Sequence, residues 1–172
     1  MLTTIVFLPL LFAILIAVCP KDAWVRPAAL IFSVVEFILS LGLLTRFDKT
    51  SAALQLQEKF SWIALDAHNP KSAIFYFLGV DGISIWLVLL TTFLTPIIVL
   101  GSWHAIDTKT RSFHAALFAL MTAMIGSFLA MDLVLFYIFF ELSLVPMYFM
   151  IGIWGGPRRI YATLKFFIYT ML

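Results

Sequence analysis

Leu133-Val-Leu-Phe-Tyr-Ile-Phe-Phe-Glu-Leu-Ser-Leu-Val-Pro-Met-Tyr-Phe-Met-Ile-Gly-Ile-Trp154 decides the fold. Glu141 is its one charged residue, and the segment is long enough to cross the ~30 Å hydrocarbon core of a bilayer as one helix. A carboxyl at mid-membrane costs about 3 kcal/mol on insertion scales. The surrounding Leu, Ile, Val and Phe each return roughly 0.3–0.6 kcal/mol. The segment therefore inserts despite its glutamate, and Glu141 needs a reason other than folding. Groups of this kind usually face a partner, water or an ion path.

Outward from this stretch the rest of the chain has the same character. Its 172 residues are 63% hydrophobic and 12% charged, against about half and one quarter in a soluble globular chain. The reading is an all-α, polytopic membrane helix bundle forming a single membrane domain over 1–172. Apolar segments run over 2–18, 27–45, 83–103, 113–131, 133–154 and 160–172. The first five reach the length of a full span and are expected to be five complete membrane helices. The thirteen residues of the sixth reach only about 20 Å, so they form a partial helix, and the chain is expected to be the N-terminal part of something longer. A polar stretch, 47–76, carries Lys49, Glu58, Lys59, Asp66, Lys71 and an Asn69-Pro70 turn signal. It is expected outside the hydrocarbon as a small hairpin or an interfacial helix.

The formal net charge of +2 and the absence of a basic run argue against a nucleic-acid partner. A single cysteine, Cys19, excludes an internal disulfide and a self-contained iron–sulfur cluster. His68, His104 and His114 lie in or beside loops and form no ligand pair at helical spacing, so no metal site and no catalytic group are expected. Residues 2–18 lack a positive n-region, and Val18 before Cys19 is too large for a lipoprotein cleavage site; they read as a retained helix. Lys and Arg favour the 1–2, 3–4 and 5–6 connections over the 2–3 and 4–5 connections by six to four. That balance places the N-terminus outside.

Glu141 has neighbours suited to proton transfer. Pro146 has no N–H, so the carbonyl of Leu142 loses its helical partner one residue after the acid. Tyr137, Glu141, Leu144 and Tyr148 share one helix face. Proton relay and a structural hydrogen bond to another helix are the two readings. Lys165 lies about two turns past Arg159, where snorkelling to the interface and relay participation are both open. Glu36 is central in its own apolar segment but lacks neighbouring hydroxyl aromatics and proline; it is either a proton-transfer group or an interhelical contact. Asp81 and Asp132, at segment starts, suit helix caps.

Gly79-Val-Asp-Gly-Ile-Ser84, Phe139-Phe-Glu-Leu-Ser-Leu-Val-Pro-Met147, Ile153-Trp-Gly-Gly156, Arg159-Ile-Tyr-Ala162 and Lys165-Phe-Phe-Ile-Tyr-Thr170 resemble the antiporter-like membrane subunits of respiratory complex I. The resemblance is nearest to the branch called subunit M in bacteria and chain 4 in mitochondria. It runs from about residue 60 onward. It implies a fold of about fourteen helices built on inverted five-helix repeats, with discontinuous helices lining a proton path at mid-membrane. Glu141 matches the fifth-helix glutamate of that family, whose partner is a lysine on a seventh helix that this sequence lacks. Burial favours the neutral carboxyl and a nearby ammonium the charged one. Moving such a lysine would then load and unload a proton.

The resemblance further implies a non-redox, translocating subunit of NADH:quinone oxidoreductase in a bacterial cytoplasmic membrane or the mitochondrial inner membrane. Its partners would be the lipid bilayer and the other membrane-arm subunits. NADH, FMN, iron–sulfur clusters and quinone would all be held by other subunits, leaving no cofactor in this chain. Two further readings are a subunit of a cation/proton antiporter or membrane-bound hydrogenase, and a truncated, non-transporting fragment.

Overall fold

A computed structural model of the chain describes residues 1–48, 50, 53–64 and 73–171. The helices are α1 (Leu2–Val18), α2 (Asp22–Arg46), α3 (Ser84–Gly101), α4 (Thr110–Leu129), α5 (Leu133–Trp154) and α6 (Arg159–Met171). Between α2 and α3 run two strands, β1 (Gln55–Ala64) and β2 (Ala73–Val80), paired antiparallel. Among the described residues four helices, α2 to α5, are long and apolar enough to cross a membrane. The apolar α1 is shorter, at 17 residues. This is an integral membrane protein.

Several boundaries differ from those read in the sequence. The helix α2 begins at Asp22, so Pro27 lies inside it. The proline deprives only the carbonyl of Ala23, close to the helix start where the chain is exposed. Similarly, α4 begins at Thr110 and takes in Arg111. His114, beside the loop in sequence, stands one turn into α4 and is wholly buried. Of the two alternatives for the 47–76 stretch the structure has the hairpin. Its second strand continues to Val80, because Leu78 and Val80 are fully buried against the bundle. The Asn69-Pro70 turn signal, with Lys49, Asp66 and Lys71, lies outside the described residues.

Helix starts follow local chemistry. The Asp132 carboxylate accepts from the N–H groups of Val134 at 2.9 Å and Leu135 at 3.3 Å. Asp81 accepts from Ile83 at 2.8 Å and Ser84 at 2.6 Å, while Ser84 Oγ accepts from the Asp81 N–H. These bonds satisfy donors that an α-helix leaves free at its first turn.

The bundle is organised around α4, which packs on α1, α3 and α5; α2 lies on α3, and α6 touches α5. Phe118, Met121, Ile125 and Leu129 on α4 are buried with Phe12 and Ile16 of α1. Phe12 stacks on Phe32 at 4.4 Å and meets Phe118 edge-on at 6.0 Å. The α4–α5 seam closes through Gly126, where any Cβ would stand 2.3 Å from the Phe139 ring. Phe139 also meets Phe7 of α1.

Each end of the bundle is tied. At the basic end Arg26 bonds the Ile106 carbonyl and Asp107, Arg111 bonds Asp22 at 2.5 Å, and Trp154 Nε1 donates to the Thr108 carbonyl at 2.8 Å. At the hairpin end Met131 N–H donates to the Phe77 carbonyl at 2.8 Å, and Tyr76 donates to Thr3 Oγ1 at 3.0 Å. Glu58 of β1 accepts from the backbone N–H groups of Leu2 and Thr3, from the Thr3 hydroxyl and from the terminal ammonium of Met1. A side chain more than fifty residues away thus caps α1.

Partial burial by itself would raise the Glu58 carboxyl. The bonds from the terminal ammonium, the Thr3 hydroxyl and the two backbone N–H groups outweigh it and hold the group at about 2, down from 4.5. A depressed carboxyl stabilises the fold above its unfolded value, and that contribution fades as pH falls from about 4.5 towards 2. Thermal unfolding in detergent is expected to show this acid-side loss in the wild type, and a flatter profile with a lower neutral-pH midpoint in Glu58→Gln. Identical pH profiles for the two proteins would remove Glu58 as the cap of α1.

Candidate functional site in the membrane

Glu141 lies eight residues into α5, about 12 Å along a helix of 1.5 Å rise. Two residues earlier, Phe139 is buried in the α4 seam. Successive helical residues turn by about 100°, so a side chain two positions on points nearly the opposite way. Locking Phe139 inward against Gly126 therefore turns Glu141 outward, and its side chain is half-buried on the flank of the bundle. The Tyr137 hydroxyl, one turn before, interacts with the Glu141 carboxylate. Tyr137, Phe140, Leu142 and Val145 are exposed around it. This flank is left open by the described helices.

The remaining residues singled out in the sequence are distributed differently. Tyr148 faces α6 and meets the Phe167 ring edge-on at 5.7 Å. Pro146 is buried, beside a shallow apolar groove lined by Ala13, Ala17, Ala116 and Phe149. Lys165 is exposed on α6, with its ammonium over the rings of Tyr161 at 5.9 Å and Tyr169 at 5.7 Å. Cation–π contact of this kind holds a charge at modest strength, about 0.5–1 kcal/mol when exposed. Glu36 is elsewhere, wholly buried on α2. The structure thus brings Tyr137 to Glu141 and leaves Lys165 and Glu36 in separate places. Among the described residues there is no grouping of three His, Cys, Asp or Glu side chains able to hold a metal ion.

Reading the sequence missed three residues. Glu58 and Arg26 act through distant backbone groups, for which no local pattern exists. His114 carried a signal: it follows the apolar Phe113 within a helix-forming run.

Residues 53–132 match the family model for NADH-ubiquinone oxidoreductase chain 4, amino terminus, and residues 130–172 match that for the membrane region of NADH:quinone oxidoreductase and Mrp antiporters. NADH-quinone oxidoreductase subunit M of Rhodobacter capsulatus is 44% identical over 100% of this chain and 33% of its own length. The chain belongs to the subunit M/chain 4 family of NADH:quinone oxidoreductases. It spans about a third of the length of the curated relatives it matches. A chain of respiratory complex I from Thermus thermophilus superposes with a TM-score of 0.78 at 25% identity, over 99% of this chain and 33% of that one. A chain of the archaeal membrane-bound sulfane sulfur reductase shares the fold, with a TM-score of 0.78 at 14% identity, over 97% of this chain and 33% of that one. The family's helical membrane architecture is that of the bundle described above.

Proposed function

We propose that the chain is part of a membrane-arm subunit of a proton-translocating NADH:quinone oxidoreductase, with Glu141 as an intramembrane relay carboxylate. The observation that carries this reading is the placement of Glu141. It stands at mid-helix on a flank of α5 that no described helix covers, with a tyrosine hydroxyl at hand, in a chain 44% identical to a subunit M. An acid so placed can be loaded and unloaded by a cation approaching from that side. The chain has no redox chemistry of its own in this reading. NADH, flavin, iron–sulfur clusters and quinone belong to other subunits of the assembly, and the membrane is a bacterial cytoplasmic one or its mitochondrial counterpart.

A second reading, a subunit of a cation/proton antiporter or of another membrane redox complex, draws on the shared family model and on the fold likeness to the sulfane sulfur reductase. Co-purification separates the two. Affinity-tagged protein isolated from its native membranes is expected to bring with it NADH-oxidising, quinone-reducing activity. Recovery in an assembly that exchanges cations for protons without oxidising NADH would establish the second reading instead.

A further inference from the structure

We propose that the bundle holds a second intramembrane proton-binding site, between α2, α3 and α4, in which Glu36 keeps a proton against the Thr92 carbonyl and exchanges it with the basic end through His114. It lies apart from Glu141 and shares with the proposed function only the handling of protons.

Glu36 is 0% exposed, and neither carboxyl oxygen has a hydrogen-bond partner among the described residues. An ionised carboxylate buried without a partner is far more costly than a neutral acid with one acceptor. An acceptor is supplied by the opposite helix. The antiparallel register of α2 and α3 is fixed by the Ser40–Thr92 hydroxyl pair at 2.7 Å and by the Phe37 and Phe93 rings, 5.5 Å apart. That register sets Glu36 level with Pro96. Pro96 lies inside α3 and has no N–H, so the Thr92 carbonyl has no helical donor. Helical carbonyls point towards the C-terminus, which aims this one at the level of Glu36. The acid and the freed carbonyl are complementary.

The site continues towards the basic end. Ser33, one turn along α2, is fully buried. Beyond it His114 of α4 is likewise fully buried, within reach of the Arg26 charge. His114 Nδ1 lies 2.8 Å from the Thr110 carbonyl. A carbonyl only accepts, so Nδ1 carries the hydrogen and Nε2 is a bare acceptor. Nε2 is buried and has no partner among the described residues. Arg26, Asp22, Asp107 and Arg111 line a cleft of about 480 Å³ at that end, open to water. About ten residues separate the levels of Arg26 and Glu36, roughly 15 Å along the helix axis, so the route requires internal water between Nε2 and the carboxyl, held by polar groups such as Ser33. One proton moves and no electrons: an O–H bond of a hydronium in the cleft breaks as an N–H bond forms at Nε2, leaving water, and that N–H bond breaks as the O–H bond of Glu36 forms through the intervening water, with the imidazole restored.

Infrared difference spectroscopy of the assembled protein in liposomes tests this. A carboxylic C=O band is expected that disappears in Glu36→Gln and persists in Glu141→Gln. Pro96→Ala, which restores a donor to the Thr92 carbonyl and leaves the acid in place, is expected to shift the band to higher wavenumber. His114→Asn keeps the bond to Thr110 but lacks the ring acceptor; it is expected to slow the deuterium shift of the band at least tenfold. A spectrum unchanged by Glu36→Gln would show an ionised or silent residue and overturn the site. A band present but exchanging equally fast in His114→Asn would overturn the route. Neither result would touch Glu141, whose role is read from proton uptake.

Discussion

Vesicles carrying the assembled complex with Glu141→Gln are expected to lose proton uptake by about tenfold or more while the complex stays intact. The amide has the volume and hydrogen-bonding reach of the acid, so Tyr137 keeps its neighbour and α5 its packing. What is removed is the ability to take up and release a proton. Glu141→Ala is expected to match it in transport, because the side chain is half-buried on an open flank and leaves no core cavity. The measurement is acidification followed by a pH-sensitive dye, normalised to the amount of assembled complex. Uptake at the wild-type rate in the Gln variant would leave Glu141 as a structural hydrogen-bonding group only.

A large loss of stability is expected from closing the α4–α5 seam with Gly126→Val. A Cβ at Gly126 would meet three carbons of the Phe139 ring at 2.3–2.5 Å. The ring is held on its other side by α1 through Phe7, so it has nowhere to retreat. Overpacking of this sort costs roughly 1–3 kcal/mol or more. Phe139→Ala alone would open a cavity costing about 3–5 kcal/mol. The two changes together are expected to destabilise by much less than their sum, because the new side chain occupies the space vacated by the ring. Thermal melts of the purified protein give the three midpoints, and simple additivity would refute the packing account. A functional consequence follows from helix geometry. Phe139 and Glu141 point to opposite sides of α5, so the seam that accepts the ring sets the direction of the acid. A variant that folds with α5 rotated is expected to lose proton uptake without any change at Glu141.

How much of this is legible in sequence depends on the range of the interaction. The course of α5 between Asp132 and Trp154 is local: a cap, a long apolar run broken only by Glu141 and Ser143, and a glycine pair after it. The mid-helix position of Glu141 comes with it. Its rotation does not, because that depends on a glycine fifteen residues earlier on another helix. Glu36 is the reverse case. Flanking residues gave it little weight beside Glu141, yet Ser33, Glu36 and Ser40 recur at spacings of three and four, which puts them on one helix face. That pattern marks a polar face, and only the partner helices reveal that it is sealed. The two-stranded hairpin was open in sequence because its short apolar runs suit either an interfacial helix or strands. Pairing with the helix ends, through Phe77, Tyr76 and Glu58, settles it.

The packing of α1 on α4 has a consequence for synthesis. Between the end of α1 at Val18 and the start of α4 at Thr110 the ribosome must add about ninety residues, roughly 5–20 s at ordinary elongation rates. Throughout that interval α1 is in the membrane without its principal partner. Its sequence suits the wait: beyond Thr4 every residue to Val18 is apolar, so no face of the helix is unwelcome to lipid. The helices with polar stripes, α2 and α3, are consecutive in the chain and can cover one another's stripes as soon as the second is made. The order of elements along the chain thus lets the polar stripes find their cover early, while the segment that waits longest for its principal partner is the one that lipid solvates best.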